Sequence, residues 1–445
     1  MKFALTFILL LASLRPLPAA GRKVVMISID GLKGTTLASI AKRNLRTPNL
    51  NEFVEKGAVS EGLEGVFPTV TYPSHTTLVT GRSPAAHGII GNSYFDPEHK
   101  MNGAWYWYAE QIRVPALWDA AHDKGLKTAG VSWPVTVGAE IDFNLPEFRF
   151  PRTFEDKLLL RLASTKGLLE EFEKADGEVP ITGQDDHLRA RMAAFLLRTR
   201  KPDFLILHLM DMDHDEHGNG PDSPAALKTL EAIDDCIGLV RKEVRNSGME
   251  AQTVFLVVSD HGFRPVEKAF SPRAVLASLG LSAPERKPAE WRVEVMSEGA
   301  SFALYARDPN DTEAMALATK TFERLQSEGT WGIEKVAHRK DLDAVKAFTG
   351  AFAAVSLSSG FTVGYGTSGA WITSSGSTRG THGYWPGPVE MDASFVAFGP
   401  GIAAARLPRG HLVDVAPTAA EILGITLKNT EGKNLLPPSG STNGG

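Results

Sequence analysis

The sequence predicts an α/β fold, a central, mostly parallel sheet with helices on both faces. Three observations carry this expectation. The apolar runs Lys23–Asp30, Asp203–Asp213 and Thr253–His261 each lead straight into an aspartate, and the third adds a histidine. Unbroken apolar runs of this kind mark strands buried on both faces, and parallel sheets gather functional residues just beyond the carboxyl ends of their strands. Strand-like and helical patterns then alternate through most of the chain, as they do where helices are layered on a sheet. Finally, 445 residues with 43% hydrophobic and 22% charged positions suffice for a large core or two sub-domains.

After the first strand come Gly31 and Gly34 in a loop, then a helix over Asn49–Lys56, opened by Thr47 and Pro48 and closed by Gly57. Phe67–Gly91 reads as a turn-rich segment holding the densest motif of the chain. Leu117–Lys124 is expected to be helical and Lys127–Val131 a short strand. Helical spacing returns over Asp186–Leu197 and over roughly 224–245, on either side of the strand at 203–210, and the strand at 253–259 comes next. Between about 265 and 380 the pattern changes to short strands such as Ser301–Tyr305, a helix at Asp311–Glu328 and a Gly/Ser-rich stretch, Ser356–Gly380, which fits a small inserted lobe or cap. The strand Ser394–Phe398 and the helix Asp414–Leu423 resume the main pattern. Pro437–Gly445 has almost nothing to bury and is expected to be disordered, leaving one domain over 21–435 and a tail over 436–445.

A net charge of −5 excludes a broad basic surface for a nucleic-acid polymer or an anionic membrane. A small nucleotide substrate stays open. Lys2, the apolar run Phe3–Leu14 and the small residues up to Ala20 read as a secretory signal over 1–20, cleaved near Ala20, so the chain is expected to be exported to the periplasm or the medium. That run is too short to cross a hydrocarbon core of roughly 30 Å as a helix, so no stable membrane anchor is expected. Cys236 is the only cysteine, which excludes an internal disulfide. Its neighbours Leu230, Ile233, Ile237 and Val240 recur at helical spacing, so it is expected to be an inert core residue.

Carboxylates gathered on one sheet edge repel unless a cation offsets them, so the strand pattern predicts a metal site. Asp213 and His217 stand four apart, and one helical turn would present both to a single ion, although an acidic run alone is as often a solvated loop. Asp260 and His261 are more specific, since polar groups at the end of a buried strand need a cleft or a partner. His382 lies between Gly380 and Gly383, in a loop able to approach an ion closely. Together Asp30, Asp213, His217, Asp260, His261 and His382 supply three carboxylates and three imidazoles, a set suited to two zinc ions, with manganese or iron less favoured. A nucleophile is also needed, and Phe67–Gly81 is crowded with hydroxyls that a dication would acidify. Residue chemistry alone does not choose among Thr69, Thr71 and Thr76.

The run Phe67–His75, followed by Leu78–Gly81 and His87–Asn92, closely resembles the nucleotide pyrophosphatase/phosphodiesterase branch of the alkaline phosphatase superfamily. Its other signatures come in the same order, as Asp213, His217 and Gly220-Pro221, then Ser259–Gly262, then Thr381–Tyr384, so the resemblance spans about 23–425. It implies an alkaline-phosphatase-like fold with two Zn2+ per chain. Carried over residue by residue, it makes Thr71 the nucleophile, puts one zinc on Asp30, Thr71, Asp260 and His261, and puts the other on Asp213, His217 and His382. Asn92 would donate its amide to a phosphoryl oxygen. His208, Asp211, His214 and Asp215 lie close enough in sequence to orient the imidazole ligands. The implied reaction is in-line attack by Thr71 on phosphorus, a covalent phospho-threonine ester and its hydrolysis, with retention at phosphorus.

Substrate class is argued from charge. A monoester carries an additional negative charge, usually matched by an arginine, a lysine or a third metal. Arg82 is the only arginine in the nucleophile segment, and Asn92 alone suits a monoanionic diester. Arg264 and Arg379 flank candidate ligands and would favour a more highly charged group if they reached the site. The aromatics Tyr94, Phe95, Trp105, Tyr106, Trp107 and Tyr108 either stack on a base or pack a strand edge, and Trp385 is a further candidate wall. The expected activity is therefore hydrolysis of phosphodiester or pyrophosphate bonds in a small molecule such as a nucleotide. Phosphomonoester or phosphonate hydrolysis is the alternative. A sulfatase is excluded because Thr71–His75 lacks both ends of a Cys/Ser-x-Pro-x-Arg element, and a binding protein that had lost catalysis would lack a ligand or the nucleophile.

Overall fold

The computed structural model of the protein describes residues 21–98, 100–101, 105–148, 153–177, 185–282 and 291–437. The secretory signal expected over 1–20 and most of the tail expected after 436 lie outside the described residues.

The three apolar runs form adjacent strands at the centre of an eight-stranded sheet. Its order is Ala405–Leu407, Ala58–Ser60, Phe395–Phe398, Thr253–Val258, Lys23–Ile29, Phe204–Leu209, Thr128–Val131 and Phe143–Leu145. All neighbours are parallel except Phe395–Phe398, which runs antiparallel to both of its partners. Side chains alternate across the central strand. Val25, Ile27 and Ile29 join a core with Leu196, Leu230 and Ile237 on one face, while Val24 and Met26 join one with Leu78, Val415 and Ile422 on the other. Burial on both faces is what leaves such strands continuously apolar. Cys236 packs in the first of these cores, 3% exposed, and burial pushes its thiol up to about 12.

Register is the feature that positions function. Ile29 pairs with Leu209, and Ser28 with Val258, so the three strands end flush and deliver Asp30, Asp260 and the helix after Leu209 to one edge.

Residues 293–357 build a separate antiparallel sheet in the order Ile333–His338, Ala353–Leu357, Ser301–Ala306 and Val293–Glu298. The helix Thr312–Glu328 covers it, and Phe302, Leu304, Phe322 and Val355 share its core. The strand Arg264–Phe270 links the two bodies and pairs with Gly360–Val363, Ile372–Ser374 and Gly380–Thr381, inside the stretch read as Gly/Ser-rich.

One element differs from the expectation. The segment expected to be turn-rich contains a ten-residue helix, Thr71–Thr80, buried along its whole length. Threonine and tyrosine are weak helix formers, but tertiary packing overrides propensity here. Val70 enters in extended conformation, Pro73 sits in the first turn where its missing N–H is not needed, and Gly81 closes the helix with φ +64°.

Candidate metal centre and nucleophile

Each candidate ligand is carried to the site by a defined element. Asp30 follows the strand Lys23–Ile29, Asp260 and His261 follow Thr253–Val258, and Asp213 and His217 lie on the helix Asp211–Asn219 that begins where Phe204–Leu209 ends. His382 follows the two-residue strand Gly380–Thr381. The turn after Asp30 requires glycine. Gly31 has φ +78°, and a Cβ there would lie 2.8 Å from the Phe263 ring, while its N–H donates to Asp260 Oδ1 at 3.1 Å.

The ligand atoms converge. His261 Nε2 lies 3.1 Å from Asp260 Oδ2 and 3.5 Å from Asp30 Oδ1. His382 Nε2 and His217 Nε2 lie 3.6 Å and 3.5 Å from Asp213 Oδ1. Two groups have ligand atoms all within 4.8 Å of one another, namely Asp30, Asp260 and His261, and Asp213, His261 and His382. His261 belongs to both. His217 touches Asp213 but falls outside the mutual group, and its side chain is 35% exposed.

Asp30 Oδ1, Asp213 Oδ1, Asp260 Oδ2 and His261 Nε2 are buried without a hydrogen-bond partner. Such atoms are expensive to leave unpaired. Burial, followed by the nearby Asp213, pushes the Asp30 carboxyl well above the usual carboxylate range. Burial and then Asp30 do the same to Asp260. Burial and the neighbouring His382 hold His261 well below the usual imidazole range, and burial lowers His382 to about 4. Acids pushed up beside imidazoles pushed down describe a site that lacks positive charge, which a divalent cation supplies. The donor set of oxygens and imidazole nitrogens therefore fits a metal centre.

The imidazoles are oriented from behind. Nδ1 of His217, His261 and His382 lies 2.9, 3.2 and 3.1 Å from the carbonyl oxygens of Gly380, Gly262 and Thr69 respectively, which holds Nε2 free as the ligand atom. Asp30 is oriented by a longer chain. His208 Nε2 lies 3.0 Å from Asp30 Oδ2, and its Nδ1 lies 3.2 Å from Glu147 Oε2. Glu147 Oε1 in turn accepts from the Tyr72 hydroxyl at 2.9 Å. Of the four neighbours expected to orient ligands, His208 alone does so, and it orients a carboxylate rather than an imidazole. Asp211 accepts from the Asp186 N–H and pairs with Arg189, Asp215 accepts from the Thr229 hydroxyl, and His214 is exposed, because the helix turns those positions away from the sheet edge.

The structure also separates the threonines. Thr69 donates its hydroxyl to the Tyr384 carbonyl at 2.9 Å, and Thr76 donates to the Tyr72 carbonyl at 2.8 Å. Among the described residues no hydrogen bond commits the Thr71 hydroxyl. Thr71 opens the helix, and His75 pins that first turn to the sheet through the Thr71 carbonyl and Ser28 Oγ, both at 2.9 Å. The Tyr72 N–H donates to Asn92 Oδ1 at 2.8 Å, leaving the Asn92 amide NH2 as the available donor next to Thr71.

Glu298, at the end of a lobe strand, accepts from the Asn92 N–H at 3.2 Å, and burial pushes it up to about 8. Sequence reasoning missed Glu298, Glu147 and Tyr72. The strand Val293–Glu298 carries two acids, Glu294 and Glu298, and nothing in its pattern separates the second from the first.

The three arginines weighed for substrate charge are committed elsewhere. Arg264 pairs with Glu334 and Glu390 and lies over the Tyr384 ring, Arg379 donates to the Gly376 and Thr378 carbonyls, and Arg82 pairs with Glu431. The aromatics after Asn92 pack on one another and on the lobe. Tyr94 stacks on Tyr106 and Phe95 on Tyr305, each at 4.2 Å, while Trp105 meets Tyr72 edge-on and Trp107 meets Phe148. Trp385 lies 4.7 Å from Phe67, with Lys335 over its ring.

A family model described as type I phosphodiesterase/nucleotide pyrophosphatase matches residues 24–385. Among curated relatives, rat ectonucleotide pyrophosphatase/phosphodiesterase family member 3 is 26% identical over 254 residues, 54% of this chain and 24% of that protein. Human family member 1 is 24% identical over 249 residues, 54% of this chain and 23% of that protein. The matched stretch thus spans about a quarter of those relatives. Human ectonucleotide pyrophosphatase/phosphodiesterase 5 superposes with a TM-score of 0.67 at 18% identity, covering 93% of this chain and 97% of that one. An inactive variant of the murine protein in complex with AMP superposes with the same score, covering 94% and 100%. At that identity the likeness establishes the fold.

Proposed function

From the premise that the chain belongs to the type I phosphodiesterase/nucleotide pyrophosphatase family, we propose that it is a metal-dependent hydrolase of phosphodiester or pyrophosphate bonds in small, nucleotide-like substrates. The observation that carries this reading is the convergence of four unpartnered buried ligand atoms beside a threonine whose hydroxyl is uncommitted. Asp30, Asp260, His261 and Thr71 would hold one zinc ion, and Asp213, His217 and His382 a second. Ions bound there would stabilise negative charge on the phosphoryl group and acidify the attacking hydroxyl and water.

The chain's own residues do the rest. Thr71 Oγ1 forms the new bond to phosphorus while the bond to the leaving oxygen opposite it breaks, giving a phospho-threonine ester. The Asn92 NH2 donates to a non-bridging oxygen, held in place by the Tyr72 N–H on its Oδ1. A water then attacks from the side the leaving group vacated, and Thr71 is released with retention at phosphorus. The commitment of Arg82, Arg264 and Arg379 to other partners favours a monoanionic diester over a monoester.

Among the described residues no helix is long and apolar enough to cross a membrane. The leader-like residues 1–20 and the extracellular character in the relatives' names support export.

The test is a metal count and a substrate comparison. Purified protein should carry two zinc ions per chain and hydrolyse a nucleotide diester far faster than a monoester with the same leaving group. A monoester rate exceeding the diester rate by orders of magnitude would overturn the substrate class.

A further inference from the structure

A groove of about 540 Å3 opens beside the metal centre, and its lining includes His217 and Thr381, the residue before His382. Apart from His217 and Tyr365, its wall consists only of glycine, alanine, valine, serine and threonine. The Gly/Ser-rich stretch forms this wall because it packs tightly on the linking strand and the residue after it. A Cβ at Gly364 or Gly366 would lie 2.7 or 2.9 Å from Ser271 Oγ, so side chains there would push the wall off its support.

Among the described residues no lysine, arginine, aspartate or glutamate lines the groove. The nearby cations are turned away. Arg379 is folded onto the carbonyls of its own loop, Arg264 is paired with two glutamates, and Lys268 lies over the Phe361 ring. Ser271, Thr373 and Ser375 bring hydroxyls to the wall instead, and Tyr365 stands at the rim, 80% exposed.

In-line attack by Thr71 places the leaving group on the far side of phosphorus, toward Asp213, His217 and His382, and His217 also lines the groove. We propose that this groove is the leaving-group subsite and that it takes an uncharged polyhydroxylated alcohol, a sugar or sugar alcohol, rather than a phosphate or pyrophosphate. This rests on the reading of Thr71 as nucleophile. Serine and threonine hydroxyls both donate to and accept from substrate hydroxyls, and an exposed tyrosine ring covers the C–H face of a polyol. An ionised phosphate in the same groove would give up hydration with no cationic side chain to replace it.

Three derivatives of adenosine 5′-phosphate, two esters and one anhydride, test the assignment with the metal-loaded full chain. They carry a hexitol linked through a terminal hydroxyl, 2-methoxyethanol as a leaving group of similar basicity without the hydroxyls, and phosphate. The hexitol ester should exceed the methoxyethyl ester in kcat/KM by about tenfold or more, and should match or exceed the phosphate compound despite the latter's better leaving group. Tyr365→Ala should cut the hexitol-to-methoxyethyl ratio severalfold. Equal kcat/KM for hexitol and methoxyethyl esters, or a strong preference for the phosphate compound, overturns the subsite while leaving Thr71 chemistry intact. Failure to cleave any of the three overturns both.

Discussion

Glu298 offers a quantitative check on the site's electrostatics. It is 3% exposed, its Oε2 accepts the Asn92 N–H, its Oε1 has no partner, and burial raises it from 4.5 to about 8. The folded protein therefore keeps this proton after the unfolded chain has released it. The contribution of Glu298 to native stability is fully present below about pH 4.5, is lost as pH rises toward about 8, and stays lost above that. At about 1.4 kcal/mol per tenfold in proton affinity, the rise bounds the loss at about 5 kcal/mol. Glu298→Gln keeps the shape and an acceptor for Asn92 but cannot ionise. Reversible urea unfolding of wild type and variant, both with metal chelated, should give stabilities within about 1 kcal/mol of each other at pH 5, with the variant ahead by several kcal/mol at pH 8. A difference that stays constant with pH, or one that favours wild type increasingly as pH rises, would refute the assignment of a protonated, buried Glu298.

Thr71→Ala should abolish a trapped phospho-enzyme in acid-quench labelling while metal analysis still finds most of the bound zinc; an adduct that persists would shift the role to Thr69 or Thr76. Chelation should lower the melting temperature and readdition of zinc restore it, since ions at 100 times their Kd stabilise by about 2.7 kcal/mol per site; an unchanged melting curve would count against a metal centre at these residues. Arg264→Ala and Arg379→Ala should each leave diester kcat/KM within about threefold of wild type, corresponding to less than about 0.7 kcal/mol of barrier, because both guanidinium groups are occupied by loop and lobe partners. A hundredfold loss in either would mean that it reaches the substrate.

The strand ends are legible in the sequence because chemistry and folding coincide there. Lys23–Ile29, Phe204–Leu209 and Thr253–Val258 are apolar for burial, and the polar residues just beyond them mark where the sheet opens to the site. Thr71 cannot be singled out by residue chemistry, since three threonines share one motif. The hydrogen bonds that retire Thr69 and Thr76 are made to carbonyls of Tyr384 and Tyr72, and the first of these is more than three hundred positions away in sequence. Glu147 and Glu298 are invisible for a related reason. Each is an acid whose meaning comes from a partner on another element, His208 in one case and the Asn92 N–H in the other. The helix at Thr71–Thr80 reads as turns because its stability resides in complete burial and not in its residues' own propensities.

The same burial fixes where the ligand atoms point. Asp30, Asp213, Asp260 and His261 hold atoms that gain no partner from the protein, so the arrangement without a cation is locally unfavourable. Side chains in that position would ordinarily swing toward water or toward each other's hydrogens. Most are prevented because they are tethered through their other polar atom. Asp30 Oδ2 is bound to His208, Asp260 Oδ1 to the Gly31 N–H, and His261 and His382 to carbonyl oxygens through Nδ1. The flush register of three central strands supplies the rigid base for those tethers. Those unpartnered atoms would gain a partner when a cation binds, which would couple metal affinity to fold stability. Weakening a tether such as His208 should therefore lower zinc affinity, measured by competition with a chelator of known affinity, and an unchanged affinity would count against this role.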